Sequence, residues 1–566
     1  MRDTPGGGIP PAKKRLPGEN EMSASRADTG SSIGILDRER IIAGPGFNRW
    51  LVPPAALAIH LCIGMAYGFS VFWLPMTKLL PAADPTACAA QGFFDELVST
   101  SCNWSVPAET HIFETFIALL GISAAIWGGW LERAGPRRAG LIAALCWGGG
   151  LVVGGIGVSV HQLWLVYLGC GVIGGIGQGL GYITPVSTLI KWFPDRRGMA
   201  TGFAIMGYGG GAMIGAPLAV WMMGQFASNG VPGVAETLML MGVIYFVVMA
   251  AGAFGFRLAP AGWRPAGWAP KATNGNAMIT PHHVHLDRAW RTPQFWLIWG
   301  VLCTNVTAGI AVIAMASPML QDVFGAKLLG VDTIAALAPA QKAAIVAAAA
   351  GLVGLISLFN SVGRLFWASL SDVLGRKNTY FVFFVLGIVL YCLLPTWGHL
   401  GLPGLFVASI CIILTMYGGG FATVPAYLAD IFGTQMVGAI HGRLITAWSV
   451  AGVVGPALIA GVRQFQIDRG VPHNLVYDYT LYIMAALLLV GLICNAFIRP
   501  VHETHRMSAQ ELARERSLQH ETGKGGATDA AARGPFAATG ALAWLAVGIP
   551  FLIGLYIALA KAAALF

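Results

Sequence analysis

The chain is 566 residues long, 56% hydrophobic and only 11% charged, with a mean hydropathy of +0.66. Soluble domains carry about a quarter charged residues, so a string of soluble domains is excluded and apolar helices in a bilayer are implied. The net charge of +9 would suit nucleic acid, but the placement of Lys and Arg assigns it to membrane topology, and no nucleic-acid partner is expected.

Residues 1–49 are rich in Gly, Pro and charge, and Lys13-Lys14-Arg15 precedes no apolar core, so no signal peptide is read. The segment is expected to be a disordered cytoplasmic arm, with Met22 an alternative start. A spanning helix needs about 20 mostly apolar residues. Twelve such stretches lie at 51–80, 111–131, 139–160, 162–189, 199–226, 234–257, 293–318, 344–370, 379–396, 402–428, 437–461 and 477–498; a thirteenth, 537–562, follows a polar segment. Cys88 and Cys102 share the polar loop after the first stretch, on the outer side, either as a disulfide or as two free thiols.

With the N-terminus inside, the inner loops collect Arg133, Arg137, Arg138, Lys191, Arg196, Arg197, Lys271, Arg376 and Lys377 among others. The outer side holds only Lys78, Lys327, Lys342, Arg463, Arg469 and Lys561. That asymmetry predicts a multi-pass protein of a bacterial inner membrane with a cytoplasmic N-terminus. The chain also repeats itself. Gly135 and Gly375 are 240 apart (375 − 135 = 240), Pro185 and Pro425 again 240, and Pro217 and Pro456 239. The predicted fold class is all-α: six-helix halves over 50–257 and 293–499, cytoplasmic linkers over 258–292 and 500–535, and an extra helix over 536–566. The run Gly207-x-Gly209-x-x-Ala212 is no dinucleotide fingerprint, because it follows no strand and lies inside a span.

Two loops carry a shared pattern: Gly128-Gly-Trp-Leu-Glu132-Arg133-Ala-Gly135-Pro-Arg137-Arg138 and Ala368-Ser-Leu-Ser-Asp372-Val-Leu-Gly375-Arg376-Lys377. They resemble the major facilitator signature, with Glu132 in place of its Asp and Ala368 in place of its first Gly. The resemblance implies a gate latch in which Glu132, Arg133, Asp372 and Arg376 stabilise one access state, the acid at a helix N-terminus. Simple positive-inside anchoring is the other reading.

Arg364 stands apart. It lies eight residues before Asp372, about 12 Å into the membrane at 1.5 Å per residue. A buried guanidinium needs a partner or a cavity, and no acid lies equally deep in the spans; Glu114, nearest, is about a turn from the outer surface. An anionic substrate would supply the counter-charge, carboxylates suiting the guanidinium fork; backbone carbonyls and water are the alternative.

The stretches Asn48-Arg-Trp50-Leu-Val-Pro-Pro54, Gly177-Gln-Gly-Leu-Gly-Tyr182-Ile-Thr-Pro185-Val, Lys191-Trp-Phe-Pro-Asp-Arg196-Arg-Gly198 and Gly207-Tyr208-Gly resemble bacterial oxalate–formate antiporters and their relatives, over about residues 48–500. The resemblance implies that Arg364, in the eighth span, pairs with a substrate carboxylate. Those antiporters also carry a Lys in the eleventh span, where this chain has Trp448 in Gly442-Arg-Leu-Ile-Thr446-Ala-Trp448-Ser. One intramembrane cation fits a monoanion better than a dianion, so formate, pyruvate or lactate is favoured over oxalate. The related monocarboxylate transporters show Asp-x-x-x-Arg in this helix, with the Asp linked to proton coupling. Here it reads Asn360-Ser-Val-Gly-Arg364, and an amide takes no proton. Either coupling is by anion exchange or the proton travels elsewhere, with His60 the candidate; a hydrogen-bonded packing role is its other reading.

The 240-residue spacing pairs Tyr208 with Trp448 across the pseudo-twofold axis. Tyr417 and Phe421, one turn apart before Pro425, resemble the family's aromatic positions, and Tyr67 and Tyr182 complete the candidate pocket wall. The Trp544…Gly548-Ile-Pro550 run resembles short single-helix proteins that accompany some of these transporters, implying a fused accessory subunit; a peripheral anchor is the alternative. The expected function is a monomeric secondary transporter of small carboxylate anions, not an enzyme, without cofactor or metal. A non-transporting carboxylate sensor on the same fold is the competing class, disfavoured by the lack of an appended signalling domain.

Overall fold

The computed structural model describes residues 34–80, 88, 92–260, 262–269, 278–328, 339–519 and 538–562. The expected arm over 1–33, with Lys13-Lys14-Arg15 and Met22, lies outside the described residues, as do Lys271 and linker residues 520–535. Thirteen long helices are numbered here in chain order: α1 (Arg49–Met76), α2 (Val106–Ala134), α3 (Pro136–Ser159), α4 (Leu163–Trp192), α5 (Arg197–Gln225), α6 (Val234–Gly255), α7 (Pro293–Leu328), α8 (Pro339–Leu374), α9 (Arg376–Leu400), α10 (Pro403–Phe432), α11 (Val437–Asp468), α12 (Asp478–Phe497) and α13 (Ala538–Ala562). Twelve, α8 aside, contain a stretch long and apolar enough to cross a bilayer. α8, 36 residues long, carries Arg364 and packs between α5 and α10. Among the described residues the only β structure is isolated bridges.

The helices form two six-helix halves that meet along two seams, α5 against α8 and α2 against α11. Small residues set these approaches. A Cβ at Gly64 would lie 2.3 Å from Tyr208 O, so α1 and α5 touch backbone to backbone, and there α1 tightens into a 3-10 stretch over Gly64–Phe72. α4 opens into a π turn over Tyr167–Ile173, and α11 breaks at Ile445. The repeat is visible in the backbone. Gly135 and Gly375 precede α3 and α9 with φ of 85° and 83°, a conformation in which a side chain is strained.

The end of the bundle that carries the signature loops is covered by ordered chain. The disorder expected over 1–49 does not extend to residues 34–49. Arg38 donates to Glu132 O at 2.7 Å, Arg137 to Ile35 O at 2.7 Å, and Arg49 forks onto Asp195 at 2.6 and 2.9 Å. The segment is polar, but its partners are buried arginines and helix-end carbonyls that need satisfying. Beyond α6 and α12 the linkers also dock: Val284 N donates to Phe432 O at 2.9 Å, Met507 N to His283 O at 2.8 Å. The short helix Ala509–Leu518, capped by Ser508, sets Glu511 2.8 Å from Arg288. At the opposite end Cys88 and Cys102 are joined as a disulfide.

Candidate functional site

Between the two seams six aromatic rings pack into one cluster. Tyr208 of α5 and Trp448 of α11 stand with ring centroids 5.3 Å apart at 76°. Tyr182 of α4 is 5.4 Å from Tyr208 and 5.3 Å from Trp448. Phe421 of α10 lies 4.7 Å from Trp448 and 5.3 Å from Tyr417. Tyr67 of α1 sits 5.3 Å from Tyr208, and its hydroxyl meets that of Tyr417 at 2.8 Å. All are buried except the half-buried Tyr67. The seven side chains singled out in sequence, Arg364 included, thus share one cluster.

Arg364 is the cluster's cation, with no exposed surface. Its Nε donates to Asn360 Oδ1 at 3.2 Å, one turn back on α8, and its Nη1 to Ile205 O at 3.1 Å across the α5–α8 seam. The guanidinium carbon lies 5.6 Å from the Tyr208 ring and 5.4 Å from that of Phe421, within cation–π range. Two glycines make room for it: a Cβ at Gly209 would lie 3.0 Å from Arg364 Nε, and one at Gly418 3.0 Å from Arg364 Cγ and 2.2 Å from Asn360 O. Arg364 Nη2 has no hydrogen-bond partner, nor do the hydroxyls of Tyr182 and Tyr208 or Trp448 Nε1. Buried donors without acceptors are costly, and four of them fall in this one cluster, one on a guanidinium, whose strongest hydrogen bonds are to anions.

His60 is fully buried beside this cluster, 5.4 Å from the Tyr182 ring, with Nδ1 against Ala204 O and Nε2 3.1 Å from Tyr182 O. Its ring is held between two helices by backbone. His441 of α11 was not singled out in sequence. It is buried, 5.9 Å from Tyr182, and neither ring nitrogen has a partner. The signal that could have found it is a histidine seven residues before Trp448 on one apolar helix.

At the signature end, the two acids each cap a helix of the other half. Glu132, ending α2, accepts from Gly438 N of α11 at 2.9 Å and Ser187 Oγ at 3.0 Å, and pairs with Lys191 at 2.6 Å. Asp372, ending α8, accepts from Gly198 N and Met199 N of α5, both at 2.9 Å, and from Arg376 at 2.5 Å. Donors and acceptors are both 240 residues apart, Glu132 from Asp372 and Gly198 from Gly438. Asp430 pairs with Arg376 at 3.3 Å and Arg197 at 3.0 Å, adding a third cross-half link that was not foreseen. Arg133 sits outside this knot, half exposed and 3.7 Å from Glu515. The acid-capped helices lie on one side of the aromatic cluster. On the other, Tyr67 and Tyr417 share a hydrogen bond across the halves, and Ser449 of α11 donates to Ile117 O at 2.6 Å and accepts from Gly121 N at 3.1 Å.

A polytopic bundle of two pseudo-symmetric six-helix halves is the architecture of secondary transporters. Residues 89–456 and 333–564 match the Major Facilitator Superfamily, and the chain belongs to it. It is 27% identical to the oxalate:formate antiporter of Oxalobacter formigenes over 399 residues, covering 68% of this chain and 82% of that protein. It is 24% identical to apicoplast pyruvate carrier 1 of Toxoplasma gondii over 502 residues, covering 76% and 88%. Among solved structures, the proton:xylose symporter XylE superposes with a TM-score of 0.53 at 15% identity, over 82% of this chain and 98% of that one.

Proposed function

We propose that the protein is a carboxylate transporter working by alternating access, with small monocarboxylates such as formate, pyruvate or lactate preferred over oxalate. The observation that carries this reading is Arg364: a buried guanidinium whose Nη2 is unpartnered, ringed by further unpartnered donors, with no carboxylate among its hydrogen bonds. A bound carboxylate would accept from Nη2 and from Tyr208, Tyr182 or Trp448, and one cation balances one negative charge. A second carboxylate would lie against Trp448 and Phe421 without a counter-charge, which costs several kcal/mol. The names of the antiporter and pyruvate-carrier relatives support the same class.

In this reading the structure is the occluded state, and Glu132, Asp372 and Arg376 form the latch of the cytoplasmic gate. The halves divide over 50–257 and 293–499, and α13 is a fused thirteenth span. The excess of Lys and Arg at the latch end supports a cytoplasmic location for that end and for the N-terminus, in a bacterial inner membrane. The test is counterflow in proteoliposomes with labelled formate, pyruvate, lactate and oxalate. Exchange of a monocarboxylate should be saturable, with oxalate the weaker competitor. If oxalate competes as well as or better than pyruvate, the chain is an oxalate exchanger instead; if no acid exchanges, transport of carboxylates is refuted.

A further inference from the structure

We propose that His441 carries a proton with each carboxylate, making the transporter an anion–proton symporter; the inference rests on the carboxylate reading above and adds its coupling group. Among the described residues of the membrane interior, three that are buried carry a strongly basic or histidine side chain: Arg364, His60 and His441. Arg364 keeps its charge. The two ring nitrogens of His60 already face the carbonyls of Ala204 and Tyr182. Those of His441 face no partner at all. Asn360, one turn from Arg364, holds the guanidinium through its amide oxygen and cannot titrate.

The position of His441 supplies the rest. Three residues before it, Gly438 gives its N–H to Glu132, so breaking that cap uncovers His441 to water from the latch end. On the other side its ring lies 5.9 Å from Tyr182, which touches both Tyr208 and Trp448 and has a hydroxyl free of partners. His441 therefore stands between the gate and the anion site. The charged and titratable groups around it are otherwise committed. Glu132 of α2 is paired with Lys191, Asp430 of α10 with Arg197 and Arg376, and Arg443 of α11 with Asp287. His60 of α1 lies behind Tyr182 of α4, and Arg364 of α8 lies beyond Tyr208.

Coupling follows from charge. With the anion site empty, a protonated His441 would be a second buried cation in the same low-dielectric space as Arg364, and like charges disfavour that. A carboxylate on Arg364 cancels the first charge and lets the second form. With the latch open, water gives a proton to an imidazole nitrogen and an N–H bond forms. With the other end open, that bond breaks, and the proton passes by way of the Tyr182 hydroxyl to water as the anion leaves. One proton moves with one anion, nothing is oxidised or reduced, and net charge transfer is zero.

The test uses the full chain in proteoliposomes, with labelled pyruvate as probe and two variants, His441→Gln and His441→Asn. Counterflow at equal pH needs no net proton movement; accumulation driven by a pH gradient does. The wild type should accumulate pyruvate down an inward proton gradient and alkalinise the outside medium by one proton per anion. Both variants should keep counterflow within about threefold while accumulation falls by at least about tenfold. Accumulation that survives in either variant overturns the proposal. So does a wild type that shows counterflow but no accumulation under the pH gradient, which would leave a pure exchanger and the carboxylate reading intact. Loss of both activities in both variants, with wild-type thermal unfolding, makes His441 part of the anion site and also overturns it. Absence of counterflow in the wild type refutes the carboxylate reading itself.

Discussion

Arg364, buried among the aromatic rings, was legible in sequence because a lone Arg in an apolar span must be met by a partner or a cavity. The aromatic wall was legible for another reason: internal repetition paired Tyr208 with Trp448 at 240 residues, and their rings stand 5.3 Å apart. His441 left only its spacing from Trp448 in sequence; that neither ring nitrogen has a hydrogen-bond partner is a tertiary fact. Arg364→Gln should lower counterflow roughly 10- to 150-fold, since a charge-assisted hydrogen bond is worth ~1.5–3 kcal/mol and an anion would make at least one to the fork. Unfolding temperature should hold, while Arg364→Lys keeps part of the activity as a point charge without the fork. Wild-type uptake by the Gln variant would remove Arg364 from the site. Trp448→Lys adds a cation where the indole meets Phe421 at 4.7 Å. It should shift competition toward oxalate and away from pyruvate, with a lower overall rate because the lost ring volume opens a gap beside Tyr182 and Tyr208. An unchanged ratio of oxalate to pyruvate inhibition would show that position 448 does not face the second carboxylate.

At the scale of elements, the existence and order of the helices were readable from apolar runs, because each span must satisfy its own backbone in lipid. Their irregularities were not. The 3-10 stretch of α1, the π turn of α4 and the break at Ile445 depend on which backbone approaches which, and that is a tertiary fact. The signature acids were legible, but their partners were not: nothing local says that Asp372 will cap α5 rather than its own neighbour. The two caps differ in form, since Asp372 takes two backbone N–H groups and Glu132 takes one plus Ser187 and Lys191. Losing a charged cap costs ~0.5–2 kcal/mol. Asp372→Ala should therefore raise the population open at the latch end by roughly 2- to 30-fold, read as a longer distance between spin labels at Arg196→Cys and Val373→Cys. An unaltered distance distribution would mean the cap does not hold the gate. The docked linker gives a pH prediction. Burial, with Arg516 and Arg197 near, pushes His283 down to about 4. A histidine lowered in the folded state is held neutral there, so docking is fully stable above the unfolded value near 6.5 and weakens as pH falls from there toward 4. Proteolysis of the 278–285 segment should quicken across that window, and His283→Gln should flatten the dependence.

For the whole molecule, the apolar runs count thirteen spans but assign no place to the last. α13 lies along the α5–α8 seam, where Trp544 donates to Trp50 O at 3.1 Å and its ring stands 6.1 Å from Phe203. Farther along, Phe551 packs where a Cβ on Gly210 would fall, and Gly554 sits against Met213 and Ile214. Residues of α13 and α5 thus rise together, 544 with 203, 551 with 210, 554 with 213, so the two helices run parallel. On its other flank Ala558 meets Gly354 of α8, which ties α13 to both halves beside the layer that holds Arg364. Its outward face, with Leu542, Leu552 and Tyr556 more than 60% exposed, is fit for lipid. Because α5 begins at the latch end beside Asp372, α13 begins there too and must finish at the opposite end. With the latch end in the cytoplasm, a reporter active only in the cytoplasm should be bright when fused after Leu518 and dark after Phe566. Fluorescence from both fusions would mean that α13 lies along the surface, and its parallel register with α5 would be wrong.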